Sequence, residues 1–196
     1  MAQFNFFEDR IDFSFWREIC MEHGELCTYR RGEYFARAGE VLKQSGWIVS
    51  GGFKHSITDS SGMVKAVGFV FANSPLSNYH SVILGKAMPV DIIALENSDV
   101  WEVKTHHLRH ALDRNLNLQL GLIRAMFEQC YDTLLGTYRS SKEERYQQLL
   151  NRCPRIFELV SATDIATYLN ISRRQLYRII NTQAKLPWAG RADNVK

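Results

Sequence analysis

Positions 172 to 178 read SRRQLYR, so Ser172, Arg173, Arg174, Gln175, Tyr177 and Arg178 crowd hydrogen-bonding and cationic groups into two turns of chain. An arginine fork matches O6 and N7 of guanine, a glutamine amide can pair with adenine, and a helix N-terminus opened by a serine suits a phosphate. That chemistry needs a rigid rod to present it. Leu176, Ile179 and Ile180 recur three and four residues apart, which predicts a helix with the polar set on its outer face. Upstream, Ile165, Ala166 and Leu169 form a second apolar face, with Ala166 small enough for a close helix crossing. Asn170 falls at the turn, where a left-handed backbone is tolerated, and Ser172 is a natural N-cap. Residues 161–182 therefore predict a helix-turn-helix whose second helix, Arg173 to Asn181, reads double-stranded DNA. The competing reading is an ordinary helical hairpin with a solvated basic face.

The charge distribution favours the first. The chain has 196 residues and a net charge of +3, but residues 1–141 carry 14 Lys+Arg against 16 Asp+Glu, whereas residues 142–188 carry 8 against 4. A near-neutral body joined to a basic end fits a polyanion partner. At 45% hydrophobic content the chain can build a real core. The first residues, MAQFNFFEDR, lack the basic flank and apolar run of a secretory signal, and no stretch approaches the roughly 18 apolar residues of a membrane span. A cytoplasmic location with no membrane partner is expected. Cys20, Cys27, Cys130 and Cys153 show no zinc-type pairing, so reduced thiols and neither metal nor cofactor are expected.

Three segments must position the reading helix. Residues 4–27 suggest a helical entry with Phe13, Phe15, Trp16, Ile19 and Cys20 on one side. From Tyr29 glycines punctuate short alternating runs, which predicts an antiparallel jelly roll over residues 28–104, with a hairpin turn at Asp59 to Gly62. From Thr105 to Ser140 glycine nearly vanishes, predicting one helix of about 35 residues, about 50 Å long. Its Leu116, Leu120, Ile123, Phe127, Cys130 and Leu134 alternate spacings of four and three, a heptad seam that predicts a homodimer. A core helix buried within one monomer is the alternative, and Cys130 on a symmetric seam would face its mate. Ser140 and Ser141 open a further helix to Cys153 with Tyr146, Leu149 and Leu150 inward, and residues 137–141 are the expected hinge. The tail after Asn181 is expected to be irregular. The fold class is thus α+β, divided as a sensor domain over 1–104, a dimerisation helix over 105–140 and a DNA-binding domain over 141–196.

Four segments in order, RRGEYFARAGEV (30–41), WIVSGG (47–52), VDIIALENSDVWEV (90–103) and KEERYQQLLNRCP with DIATYLNISRRQLYRI, resemble the family of the cyclic-AMP receptor protein and the fumarate-nitrate regulator, the Crp/Fnr family. The last pair is similar to regulators of this family common in the Bacteroidetes. The resemblance covers almost the whole chain. It implies a cyclic-nucleotide-binding-like sensor, a dimer, and base reading through Ser172, Arg173, Arg174 and Arg178; RNA polymerase is a further candidate partner. Arg174 stands where the family usually has a cytosine-reading glutamate, so the familiar half-site is not transferred. Met88 and Pro89 stand where an Arg-Ser pair holds the cyclic phosphate, which argues against cyclic AMP. Tyr79, His80 and Met88 are the candidates for a residual effector pocket, for a small molecule of unknown identity. A haem on His80 lacks a second axial ligand, and the clustered N-terminal cysteines of the fumarate-nitrate regulator are absent.

Two other functions compete. A cupin-like metal enzyme would need a His-x-His group projecting into the barrel, but His55 and His80 are isolated and His106, His107 and His110 fall at a helix start. An effector-binding adaptor without DNA binding would leave three arginines idle.

Overall fold

The structure, a computed structural model, describes residues 4–185. Eight strands form two antiparallel sheets packed face to face. One has the order β1 (Glu25–Tyr29), β8 (Ser98–Lys104), β3 (Gln44–Ser50), β6 (Pro75–Leu76); the other has β2 (Tyr34–Ala36), β7 (Asp91–Ala94), β4 (Gly52–Thr58), β5 (Val64–Phe71). The alternating runs thus make the expected sandwich. Its interior is apolar, with Ile48, Phe53, Leu76, Val82, Met88, Ile92 and Val100 buried. Asp59 fixes the β4–β5 turn by accepting from the Ser61 and Met63 amides, while Gly62 supplies the left-handed φ of 81°. Lys65 and these donors hold the Asp59 carboxyl far below the usual carboxylate range.

The entry segment is a 3-10 turn (Phe6–Asp9) and a helix, α1 (Ser14–His23), rather than one helix through residue 27; residues 25–29 are the strand β1. Trp16 of α1 is fully buried and donates its indole N–H to the Gly46 carbonyl at 2.9 Å, which pins α1 to the sandwich. A short helix, α2 (Tyr79–Leu84), follows β6.

The stretch read as one long helix is two: α3 (Thr105–Asp113) and α4 (Leu116–Arg139). Asn115 leaves the helical region, with φ −130° and ψ 81°, and its side chain caps the Leu118 amide. Leu108 and Leu112 of α3 sit in the sandwich core, whereas α4 buries only Leu122 and Ala125 fully. Among the described residues no helix is long and apolar enough to cross a membrane.

The described residues end with four helices: α5 (Lys142–Arg152), α6 (Ile156–Leu159), α7 (Ala162–Tyr168) and α8 (Arg173–Lys185). The link between α4 and α5 is only Ser140 and Ser141, both extended, so the expected hinge is narrower than residues 137–141. Ser141 and Glu144 form a reciprocal capping box that starts α5. Helix α8 runs past Asn181, so residues 182–185 are helical instead of irregular; the rest of the expected irregular tail, residues 186–196, lies outside the described residues. The core of this helical head, with Tyr146, Leu149, Ile165, Ala166, Leu169, Leu176 and Ile179, is continued by Phe4, Ala66 and Phe69 from elsewhere in the chain. The head is therefore docked on the sandwich, with α7 against β5.

Candidate nucleic-acid interface

The helix pair α7–α8 is built as its spacing predicts. Ser161 caps α7 by accepting from the Asp164 amide. Asn170 takes φ 53°, and the Ile171 amide reaches back to the Ala166 carbonyl at 2.9 Å, closing the turn. Ala166 is buried at the crossing. Arg145 of α5 donates to the Ser140 and Leu169 carbonyls, tying the turn to the preceding helix.

Ser172 and Gln175 begin α8 with a second reciprocal cap: the Gln175 amide donates to Ser172 Oγ at 3.2 Å, and the Ser172 amide donates to Gln175 Oε1 at 3.0 Å. Gln175 is the residue whose side chain could pair with adenine. Its side-chain oxygen is instead engaged at the start of the helix. Replacing Ser172 by alanine is expected to cost about 1 kcal/mol of stability, read as a lower urea midpoint with the m-value unchanged.

Leu176 and Ile179 are buried, while Arg173, Arg174, Tyr177 and Arg178 are exposed on the other side of α8. Among the described residues none of the three guanidinium groups has an ion pair or hydrogen bond, so none is packed against the sheet. The face is a solvent-facing row of charge on a helix held from behind by a packed core.

The six residues of the heptad seam are all exposed: Leu116 and Phe127 at 65% and 66%, with Leu120, Ile123, Cys130 and Leu134 along the same stripe. Tyr131 stacks on Phe127 with ring centroids 5.9 Å apart and extends the stripe. The opposite side of α4 carries the buried Leu122 and Ala125. Among the described residues nothing covers this apolar strip, which counts against a helix buried inside one monomer.

Of the three effector candidates, Tyr79 and Met88 belong to one apolar core and His80 faces outward. Met88 is part of the core, and His80 is exposed with Nδ1 3.2 Å from the Ala87 carbonyl. Tyr79 packs between Phe7 and Trp16, and its hydroxyl is sealed without a partner, so burial raises its pKa well above the ordinary value. None of the three lines the 570 Å³ cleft between the β4–β5 hairpin, α4 and the head. Arg109 of α3, not singled out from sequence, donates to the Ser81 and Val82 carbonyls and closes the end of α2. His106 and His110 are exposed, and His107 stacks on His23 at 4.8 Å. Among the described residues no three His, Cys, Asp or Glu side chains group as a metal site would require.

A sandwich, a helix with an open apolar stripe and a terminal helix-turn-helix together have the fold of Crp/Fnr-type regulators. FixK2 from Bradyrhizobium japonicum superposes with a TM-score of 0.69 at 18% identity, over 85% of this chain and 89% of that one. The c-di-GMP-responsive global regulator CLP of Xanthomonas campestris gives 0.64 at 12% identity, over 85% and 89%. The catabolite activator protein of Thermus thermophilus gives 0.52 at 12%, over 86% and 82%. At these identities the likeness is one of fold. No protein-family model and no curated protein matches the chain.

Proposed function

We propose that this chain is a cytoplasmic, sequence-specific DNA-binding transcription regulator of the Crp/Fnr type and not an enzyme, working as a homodimer on a near-palindromic site. The observation that carries this reading is the α8 surface: Arg173, Arg174 and Arg178 exposed and unpaired among the described residues, over a fully buried Leu176. A bare solvated face would satisfy the same burial pattern, but the turn, the two caps and the small Ala166 crossing hold α8 as a rigid rod, which supports the reading that it enters a major groove. Two such rods joined through the α4 stripes would meet successive grooves about 34 Å apart. Control by cyclic AMP is not part of the proposal, since Met88 fills core where an arginine would have to meet a phosphate.

Selection of bound duplexes from a random pool tests it. The wild-type protein is expected to enrich a two-fold symmetric site. Arg173→Ala and Arg178→Ala are each expected to lose about 1–3 kcal/mol at one base pair and to relax selectivity there. Equal weakening at every base, or no enriched site, would sink direct readout.

A further inference from the structure

We propose that residues 4–10 form a clamp that holds the helix-turn-helix head on the sandwich and passes to it the position of the segment before α2. The proposal rests on the DNA-binding reading given above, and it concerns a contact that this reading does not use.

The clamp grips the head at two points. Arg152, the last residue of α5, donates to the carbonyls of Phe4 (3.1 Å) and Asn5 (2.8 Å), pairs with Asp9 at 2.6 Å and lies over the Phe6 ring. Its side chain is only 17% exposed, so these charge-assisted bonds are shielded from water. Phe4 sets its ring edge-on to Tyr168 of α7 and to Phe69 and Phe71 of β5, joining head and sheet in one aromatic cluster.

The same seven residues grip the rest of the molecule. Asn5 donates to the Phe69 carbonyl at 3.2 Å. Gln129 of α4 donates to Asn5 Oδ1 and accepts from the Phe7 amide, and Arg10 pairs with Glu128. Glu8, buried, accepts from Ser74 Oγ at 2.6 Å and from Asn5, so the clamp is tied to the loop that leads into β6 and α2. One short segment thus touches the sensor-like loop, the helix with the open stripe and the head.

Such a segment is suited to switching. Ordering a segment of chain costs about 1–2 kcal/mol per residue, which these bonds must offset, and burial pushes the Glu8 carboxyl up despite its two hydrogen bonds. A small shift at Ser74 therefore has a path to Arg152 through two residues, Glu8 and Asn5, with no need for α4 to move.

Direct head-to-sheet bonds supply a reporter. The Ala66 amide on β5 donates to Thr167 Oγ1 of α7 at 3.1 Å, so its hydrogen exchange measures whether the head is docked. In the full chain without DNA, Phe4→Ala and Arg152→Gln are each expected to speed exchange at Ala66 and in α7 by about tenfold or more, with Leu122 and Ala125 of α4 unchanged. Both variants, with the α8 arginines intact, are also expected to change affinity for a random 30-base-pair duplex by about threefold or more. Exchange at Ala66 within about twofold of wild type in both variants would overturn the clamp, as would equal acceleration throughout the sandwich and α4. Faster exchange with unaltered duplex affinity would overturn the coupling. Because the exchange measurement contains no nucleic acid, its failure is separable from a failure of the DNA-binding reading, which would appear as no duplex affinity in the wild-type protein.

Discussion

Replacing Leu120 and Phe127 together by aspartate is expected to give a folded monomer whose affinity for a symmetric operator is about 10²–10⁴-fold lower than that of the wild type. Both side chains are exposed in the single chain, Phe127 by two thirds, so the change removes nothing from the fold's own core. What it removes is the apolar strip from Leu116 to Leu134. Fully burying one leucine or phenylalanine contributes about 1.5–3 kcal/mol, and the strip presents five such side chains on each chain, which exceeds the cost of bringing two chains together. Two carboxylates per chain, brought face to face, would be unpaired and desolvated. Sedimentation equilibrium reads the association, and unfolding in urea checks that the variant is intact. A wild-type protein that is monomeric at micromolar concentration, or a double variant that still dimerises, would remove the basis for two-headed reading.

Acidification is expected to weaken the fold through His55, by up to about 3 kcal/mol as the pH falls from about 6.5 to about 4. His55 lies on β4, and its Nε2 is sealed from solvent with no hydrogen-bond partner. Burial lowers its pKa to about 4, and a hydrogen bond to the Ser77 backbone only partly opposes this. The unfolded chain takes up a proton near pH 6.5 while the folded chain holds the ring neutral. Stability is thus complete above pH 6.5 and is lost as the pH drops towards the folded value. Urea unfolding of wild type and His55→Gln between pH 4 and 7.5 checks it. The variant's profile should be flatter over that window, and identical slopes would show that His55 is not the group responsible.

The parts that could be read from sequence are those whose physics is local. The helix-turn-helix was legible because Ile165, Ala166, Leu169, Leu176 and Ile179 keep helical spacing on both sides of a left-handed Asn170. The sandwich was legible because glycines interrupt alternating runs. The break at Asn115 was not, because Leu108, Leu112, Leu116 and Leu120 continue a four-residue spacing across it, and a capping asparagine looks like any polar residue on a helix. The role of Gln175 as a cap partner was hidden by its fitness for adenine. Contacts between distant segments left no trace in the pattern: Lys54 meets Asp164 at 2.6 Å and Arg152 meets Asp9, each pair separated by more than a hundred positions. Nor does spacing reveal that His55 is sealed, since that depends on the opposite sheet.

The order of the second sheet places β5 at its margin, where backbone donors that pair with no neighbouring strand would face outward. An uncovered margin of this kind invites other chains to add to it and is a common route to aggregation. Helix α7 roofs that margin, and Thr167 satisfies the Ala66 donor there. The helical head thereby doubles as a guard for the sheet. Its excision would leave a sandwich fragment prone to self-association, and solution work on the sandwich alone is best done with Val64 and Val67, both exposed on β5, replaced by lysine.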